Sequence, residues 1–248
     1  MENKKKTRKI ANRIACGITI TLIASVGATA GTTAVKRGNA LSGVDKRYLT
    51  RTIFNVPVML PVSNGTVKLN IDPMFTDEQK AQLVKGINEL DNLIDGFDYT
   101  ITFDEKADKK AINIRSFVEN EKSKNEGIAV TTASINQWTA KIKYPITIRF
   151  DTDLIEEKKM NYDYIIKHEL LHTLGLKDVT YVKDIGNLMY AYYEKYNQNL
   201  NNEQIKALDS LYGVNKDAVV QLELPTTVEY YNNNQVENFS VEEETLPC

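Results

Sequence analysis

His168 and His172 are the only histidines in a chain of 248 residues, and they stand four positions apart in His168-Glu169-Leu170-Leu171-His172-Thr173-Leu174-Gly175-Leu176-Lys177-Asp178. On a helix that spacing projects both imidazoles from one face, one turn apart. Two neutral ring nitrogens so placed can take two corners of a zinc tetrahedron, at roughly 2.0–2.1 Å from the ion. Glu169 comes next on the helix and can reach the space beside the metal without becoming a ligand. That is the place for a general base acting on water. Gly175, three residues past His172, suits a left-handed helix stop. Such a turn sends the chain back toward the metal, where Asp178 can offer a carboxylate as third ligand. Three protein ligands leave a fourth position for water, the mark of a catalytic zinc site. The plain alternative is a packed histidine pair with an ordinary glycine cap, and it leaves Glu169 and Asp178 without a task.

The rest of the chain supplies a frame for that helix. Val67, Leu69 and Ile71 alternate with polar residues, as a half-buried strand does. Thr76-Asp77-Glu78-Gln79 reads as a helix start with Thr76 as N-cap, and Leu83, Ile87, Leu90 and Ile94 continue at helical spacing toward a stop at Gly96. Strand patterns follow at Tyr99–Phe103, Ile112–Ile114, Gly127–Thr131 and Ile146–Phe150. The motif helix is expected from Asn161 to Leu174, and a last helix from Asn202 to Leu211, ending at Tyr212-Gly213. The order predicts a mixed α/β (α+β) fold, a sheet with flanking helices, over residues 66–214. Residues 31–65, with two dibasic pairs and prolines at 57 and 61, read as a linker or pro-segment. Residues 215–248 read as an acidic polar tail.

Residues 1–30 read as a signal peptide. Six basic residues up to Arg13 precede an uncharged run of 22 residues, Ile14 to Val35, and Ala28-Thr29-Ala30 offers small residues before a cut. The same run is just long enough to be an uncleaved N-terminal anchor. Either way the remaining chain is expected outside the cytoplasm, secreted or facing outward. Without residues 1–30 the chain holds 25 basic and 32 acidic residues, a net charge of −7. That balance argues against a nucleic-acid partner. Membrane contact is expected only through the N-terminal segment, and the protein is expected to be a monomer. Loss of Cys16 with the signal leaves Cys248 alone, so no intrachain disulfide is expected.

The motif also resembles that of the metzincin peptidases, and within them the matrixins. Three stretches carry the resemblance: His168 to Asp178; Asp184-Ile185-Gly186-Asn187-Leu188-Met189-Tyr190, which looks like a Met-turn; and Leu200 to Ile205 running on to Leu211-Tyr212-Gly213. The resemblance implies a twisted, mostly parallel sheet over a cleft, a protein or peptide substrate bound extended, hydrolysis with Glu169 as general base, and Met189 as an apolar floor beneath one catalytic zinc. Matrixins use histidine where this chain has Asp178, as in snapalysin. Calcium is carried as a further candidate ion without named ligands.

Two other readings remain open at this stage. A gluzincin-type zinc peptidase would take its third ligand from a second helix, and Glu194 stands 22 residues beyond His172. An exported zinc-binding or adhesive module would keep the metal without turnover, though Glu169 then has little use.

Overall fold

The computed structural model describes residues 19–22, 43–117, 127–180, 186–191 and 199–220. Five strands form the body of the sheet: β2 (Thr66–Ile71), β3 (Asp98–Phe103), β4 (Ile112–Phe117), β5 (Ala129–Asn136) and β6 (Lys141–Asp151). A short outer strand, β1 (Thr19–Leu22), pairs along β5, giving the order β1-β5-β6-β4-β2-β3. Every pairing is parallel except β5 with β6. The mostly parallel α/β architecture expected from the sequence is therefore present.

The register explains the core. Leu69 lies opposite Ile112, Ile112 opposite Ile146, and Ile114 opposite both Ile71 and Ile148. All six are fully buried. Burial of such side chains contributes about 1.5–3 kcal/mol each. The intervening positions are not solvated either. Asn70 and Asn113 are about 1% exposed and bond to one another and to the backbone of the β3–β4 loop at Lys106 and Asp108. Covering both faces is the usual condition of parallel strands.

Helix α1 (Asp77–Leu93) starts where the sequence places it, with Thr76 and Gln79 forming a reciprocal capping box. It packs against α3 (Tyr162–Thr173), the motif helix. Gly86 permits the approach: a Cβ there would meet the Asp163 carbonyl oxygen at 2.4 Å and Ile166 Cγ2 at 2.7 Å. The start of α3 is fixed from the other side by rings. Tyr162 stacks on Phe150 at 6.0 Å and meets Phe75 edge-on at 6.2 Å. Helix α4 (Asn202–Tyr212) carries a second capping box, Asn201 with Gln204.

Some elements carry too little periodicity to read from sequence. A single-turn-plus helix α2 (Thr152–Glu157) joins β6 to α3, and α5 (Lys216–Val220) follows α4 in what the sequence suggested as unstructured tail. Residues 46–65, read as linker or pro-segment, pack with the domain. Tyr48, Leu49, Val58 and Leu60 of that stretch are in the core. Its apolar residues cluster around prolines instead of alternating, so no strand or helix pattern announces it. The cut site at Ala28–Ala30, Cys16, Cys248 and most of the acidic tail lie outside the described residues.

Candidate metal centre

The site is assembled by one helix and the turn that ends it. The end of α3 is a complete Schellman arrangement: Gly175 N–H donates to the His172 carbonyl at 3.0 Å, and Leu176 N–H to the Leu171 carbonyl at 3.0 Å. Gly175 has φ +94°, and a Cβ on it would lie 2.3 Å from the Val58 carbonyl oxygen. Gly175→Ala is thus expected to cost about 1–3 kcal/mol from the left-handed backbone alone, with the Val58 clash added. Denaturant unfolding measures the loss, and an unchanged midpoint would contradict this account of the turn.

Past the turn the chain does return. Asp178 Oδ1 lies 3.2 Å from His168 Nε2 and 3.4 Å from His172 Nε2, and the two Nε2 atoms are 3.2 Å apart. Zinc with bonds of about 2.0–2.1 Å at tetrahedral angles sets its ligands roughly 3.3–3.4 Å apart. The three donors thus already stand at the spacing of one tetrahedral face. Their chemistry agrees. His168 Nδ1 bonds the Leu188 carbonyl at 2.7 Å, and His172 Nδ1 bonds the Leu176 carbonyl at 3.1 Å. With each Nδ1 proton donated to a carbonyl, each Nε2 turns a lone pair toward the other and toward Asp178. Asp178 Oδ1 is itself buried, and among the described residues the polar atoms facing it are the two imidazole Nε2 atoms. Three buried lone-pair atoms converging in this way require a cation or a proton between them, and the residues present fit zinc.

In the chain without metal a proton serves. Burial pushes the His172 imidazole down, but the adjacent Asp178 charge and hydrogen bond, with Glu169 and the Leu176 carbonyl, raise it to about 9. Burial likewise pushes the Asp178 carboxyl up, and the two histidines more than offset it, holding the group far below the usual carboxylate range. The signs fix the pH window. The Asp178 contribution is present above the unfolded carboxylate pKa and is lost as pH falls. The His172 contribution is complete below 6.5 and is lost as pH rises through about 9. Zinc uptake at pH 7 is accordingly expected to release about one proton, because the ligand must be neutral. Calorimetry in buffers of different ionisation enthalpy reads this directly, and an enthalpy independent of buffer would contradict it.

Glu169 is fully buried, and Thr131 on β5 donates from Oγ1 to its Oε2 at 2.5 Å and to its carbonyl at 3.3 Å. The strand beside the motif helix therefore grips this carboxylate. Met189 is fully buried in the core, next to Leu188, whose carbonyl accepts from both His168 Nδ1 and the Tyr164 hydroxyl. The segment holding Leu188 is locked from below. Asn187 Oδ1 accepts from Met189 N–H and from Gln204 Nε2, and Asn187 Nδ2 donates to Gln204 Oε1. The second and third stretches singled out in the sequence are thus one hydrogen-bonded unit beneath the first.

A strap from residues 48–50 braces the ligand-bearing turn. Lys177 N–H donates to the Tyr48 carbonyl at 2.9 Å, and Thr50 N–H to the Gly175 carbonyl at 2.8 Å. Sequence reasoning missed Thr131, Tyr164 and this strap. Each acts through a contact between distant positions, and none carries a motif. Glu194, the other acid weighed as a ligand, and Asp184 of the Met-turn-like stretch lie outside the described residues.

Comparison with known proteins places this geometry. The sequence model of the family described as Matrixin matches residues 57–213. No curated protein matches the chain. Among solved structures it is similar to one described as the crystal structure of myroilysin, at 13% identity over 72% of this chain and 68% of that one, with a TM-score of 0.27. The matrixin match spans more than half of the sequence, from Pro57 through the end of α4, and the chain belongs to the matrixin family of metallopeptidases.

Proposed function

We propose that the protein is an exported zinc-dependent endopeptidase, with His168, His172 and Asp178 as zinc ligands and Glu169 as general base. The observation that carries the reading is the convergence of three buried donor atoms at 3.2–3.4 Å, with the buried Glu169 next to His168 in sequence and outside the donor set. When bound, zinc would supply Lewis acidity, polarising the scissile carbonyl and making water a stronger nucleophile near neutral pH. Glu169 takes the proton from the attacking water and returns it to the departing amine. Thr131 fixes the rotamer of Glu169 through its hydroxyl, so the base is aimed before substrate arrives. His168 and His172 are held as neutral Nε2 donors by the Leu188 and Leu176 carbonyls. Met189 forms the apolar floor.

β5 is also the natural rail for substrate. An extended peptide binds a sheet edge through main-chain hydrogen bonds. The outer edge of β5 is paired with Thr19–Leu22 at Thr132–Ile135. Signal removal after Ala30 takes that strand away and frees the edge next to Glu169, which ties export to a competent cleft.

The test is casein cleavage by exported protein, together with sequencing of its N-terminus. The expected result is hydrolysis lost with a zinc chelator and restored by zinc, from a chain beginning near Gly31. Zinc binding at full occupancy with no cleavage of casein or of a peptide library would support a non-catalytic module instead. Intact residues 1–30 in a membrane fraction would favour the anchor.

A further inference from the structure

We infer that the apolar tip formed by Ile53, Phe54 and Trp138 is a docking element for an anionic lipid bilayer surface. It is formed where the turn of residues 52–56 is tied to the far end of the β5–β6 hairpin.

The three side chains are exposed by 70%, 50% and 37%, and the Phe54 and Trp138 rings touch at a centroid distance of 4.9 Å. Among the described residues they form the contiguous group of exposed large hydrophobics. Met74 and Phe103 belong to other parts of the chain, the β2–α1 turn and the end of β3. A cluster of large apolar side chains held out in water signals a binding surface more strongly than scattered ones do.

The exposure is built, not slack. Thr52 Oγ1 accepts from the Phe54 and Val56 amides, and Thr52 N–H donates to the Val56 carbonyl at 2.9 Å. Asn55 closes the turn with φ +63°. Gln137, itself only 6% exposed, accepts from Ile53 N–H at 2.9 Å and ties this turn to the hairpin. On the hairpin side, Asn136 Oδ1 accepts from the Trp138 and Thr139 amides. Two braced turns thus hold Ile53, Phe54 and Trp138 out in solvent.

Charge selects the occupant. The two stretches that meet here, residues 46–71 and 127–150, contain no aspartate or glutamate. Arg51 and Lys141 are exposed and Lys143 half-buried beside the tip, within a protein whose body is otherwise acidic. Aromatic and aliphatic side chains flanked by basic ones fit the headgroup layer of an anionic membrane. The net negative charge of the remaining chain disfavours contact with such a surface, so the basic surround favours docking through this tip.

Trp138 is the only tryptophan in the chain, so its fluorescence reports on the tip and not on any other membrane-seeking segment. The experiment mixes the full chain with phosphatidylglycerol–phosphatidylcholine vesicles and with phosphatidylcholine vesicles, each with and without brominated acyl chains. The expected result is a blue shift of Trp138 emission and quenching by brominated lipid on the anionic vesicles, weakened by salt. Ile53→Ser/Phe54→Ser, in a chain of unchanged circular dichroism, should lower the lipid concentration dependence of that shift by about ten- to a hundredfold. A chain that sediments with vesicles while Trp138 stays unshifted and unquenched overturns the proposal, since other residues then hold it. Equal shifts on both vesicle types, or no binding to either, overturn it as well.

Discussion

Glu169→Ala is expected to lower peptide hydrolysis by roughly 10²–10⁴-fold while zinc stays bound, the effect of removing a positioned general base. Glu169 lies outside the three-residue donor set, and Thr131 bonds its carboxylate at 2.5 Å. Its loss should therefore leave the donor triangle in place. Glu169→Gln is the tighter comparison because it keeps the volume and a hydrogen-bond acceptor for Thr131 and removes only the proton acceptor. Steady-state rates on a fluorogenic peptide, with zinc measured in the same samples, separate the outcomes. Turnover near that of the unaltered chain would remove Glu169 from the mechanism. Loss of zinc together with rate would mean that it supports the metal instead.

Asp178→Ala should strip zinc and activity together. The variant removes one corner of the donor triangle and leaves His168 and His172 Nε2 facing each other at 3.2 Å with no third ligand. Loss of a group that hydrogen-bonds a metal ligand typically costs about 10–100-fold in metal affinity, and loss of a ligand should exceed that. Asp178→His is expected to retain both zinc and hydrolysis, because an imidazole at the same turn can reach the same point. Asp184→Ala, beside the Met-turn, should harm folding more than metal content. Atomic absorption on dialysed protein decides the matter. Full zinc in Asp178→Ala combined with loss of zinc in Glu194→Ala would transfer the third ligand to Glu194 and end the present assignment.

The sequence by itself determined what depends on neighbours within about one turn. His168 and His172 at helical spacing, Glu169 between them, Gly175 as the stop and Asp178 after it all stand in the structure where local geometry demands. Thr76 with Gln79 and Asn201 with Gln204 mark their helix starts for the same reason: a side chain satisfies an amide three residues on. The strands around Ile112 and Ile146 were legible because apolar and polar residue types alternate there, although the intervening Asn113 is itself buried.

The tertiary structure alone decided which distant groups complete the site. Thr131 reaches Glu169 across 38 positions, Leu188 meets His168 across 20, and Thr50 meets Leu176 across 126. Such contacts leave no periodic trace, since any threonine or backbone carbonyl can make them once the fold has brought it near. The packing of residues 46–65, within the stretch read as linker or pro-segment, was hidden for the same reason. Their Leu49, Val58 and Leu60 fill the core singly, between turns and prolines, without a repeating face. Short-range hydrogen bonding and side-chain periodicity write themselves into sequence order. Packing between segments far apart in the chain depends on the sheet register and on where each helix lands, and only the folded chain contains those.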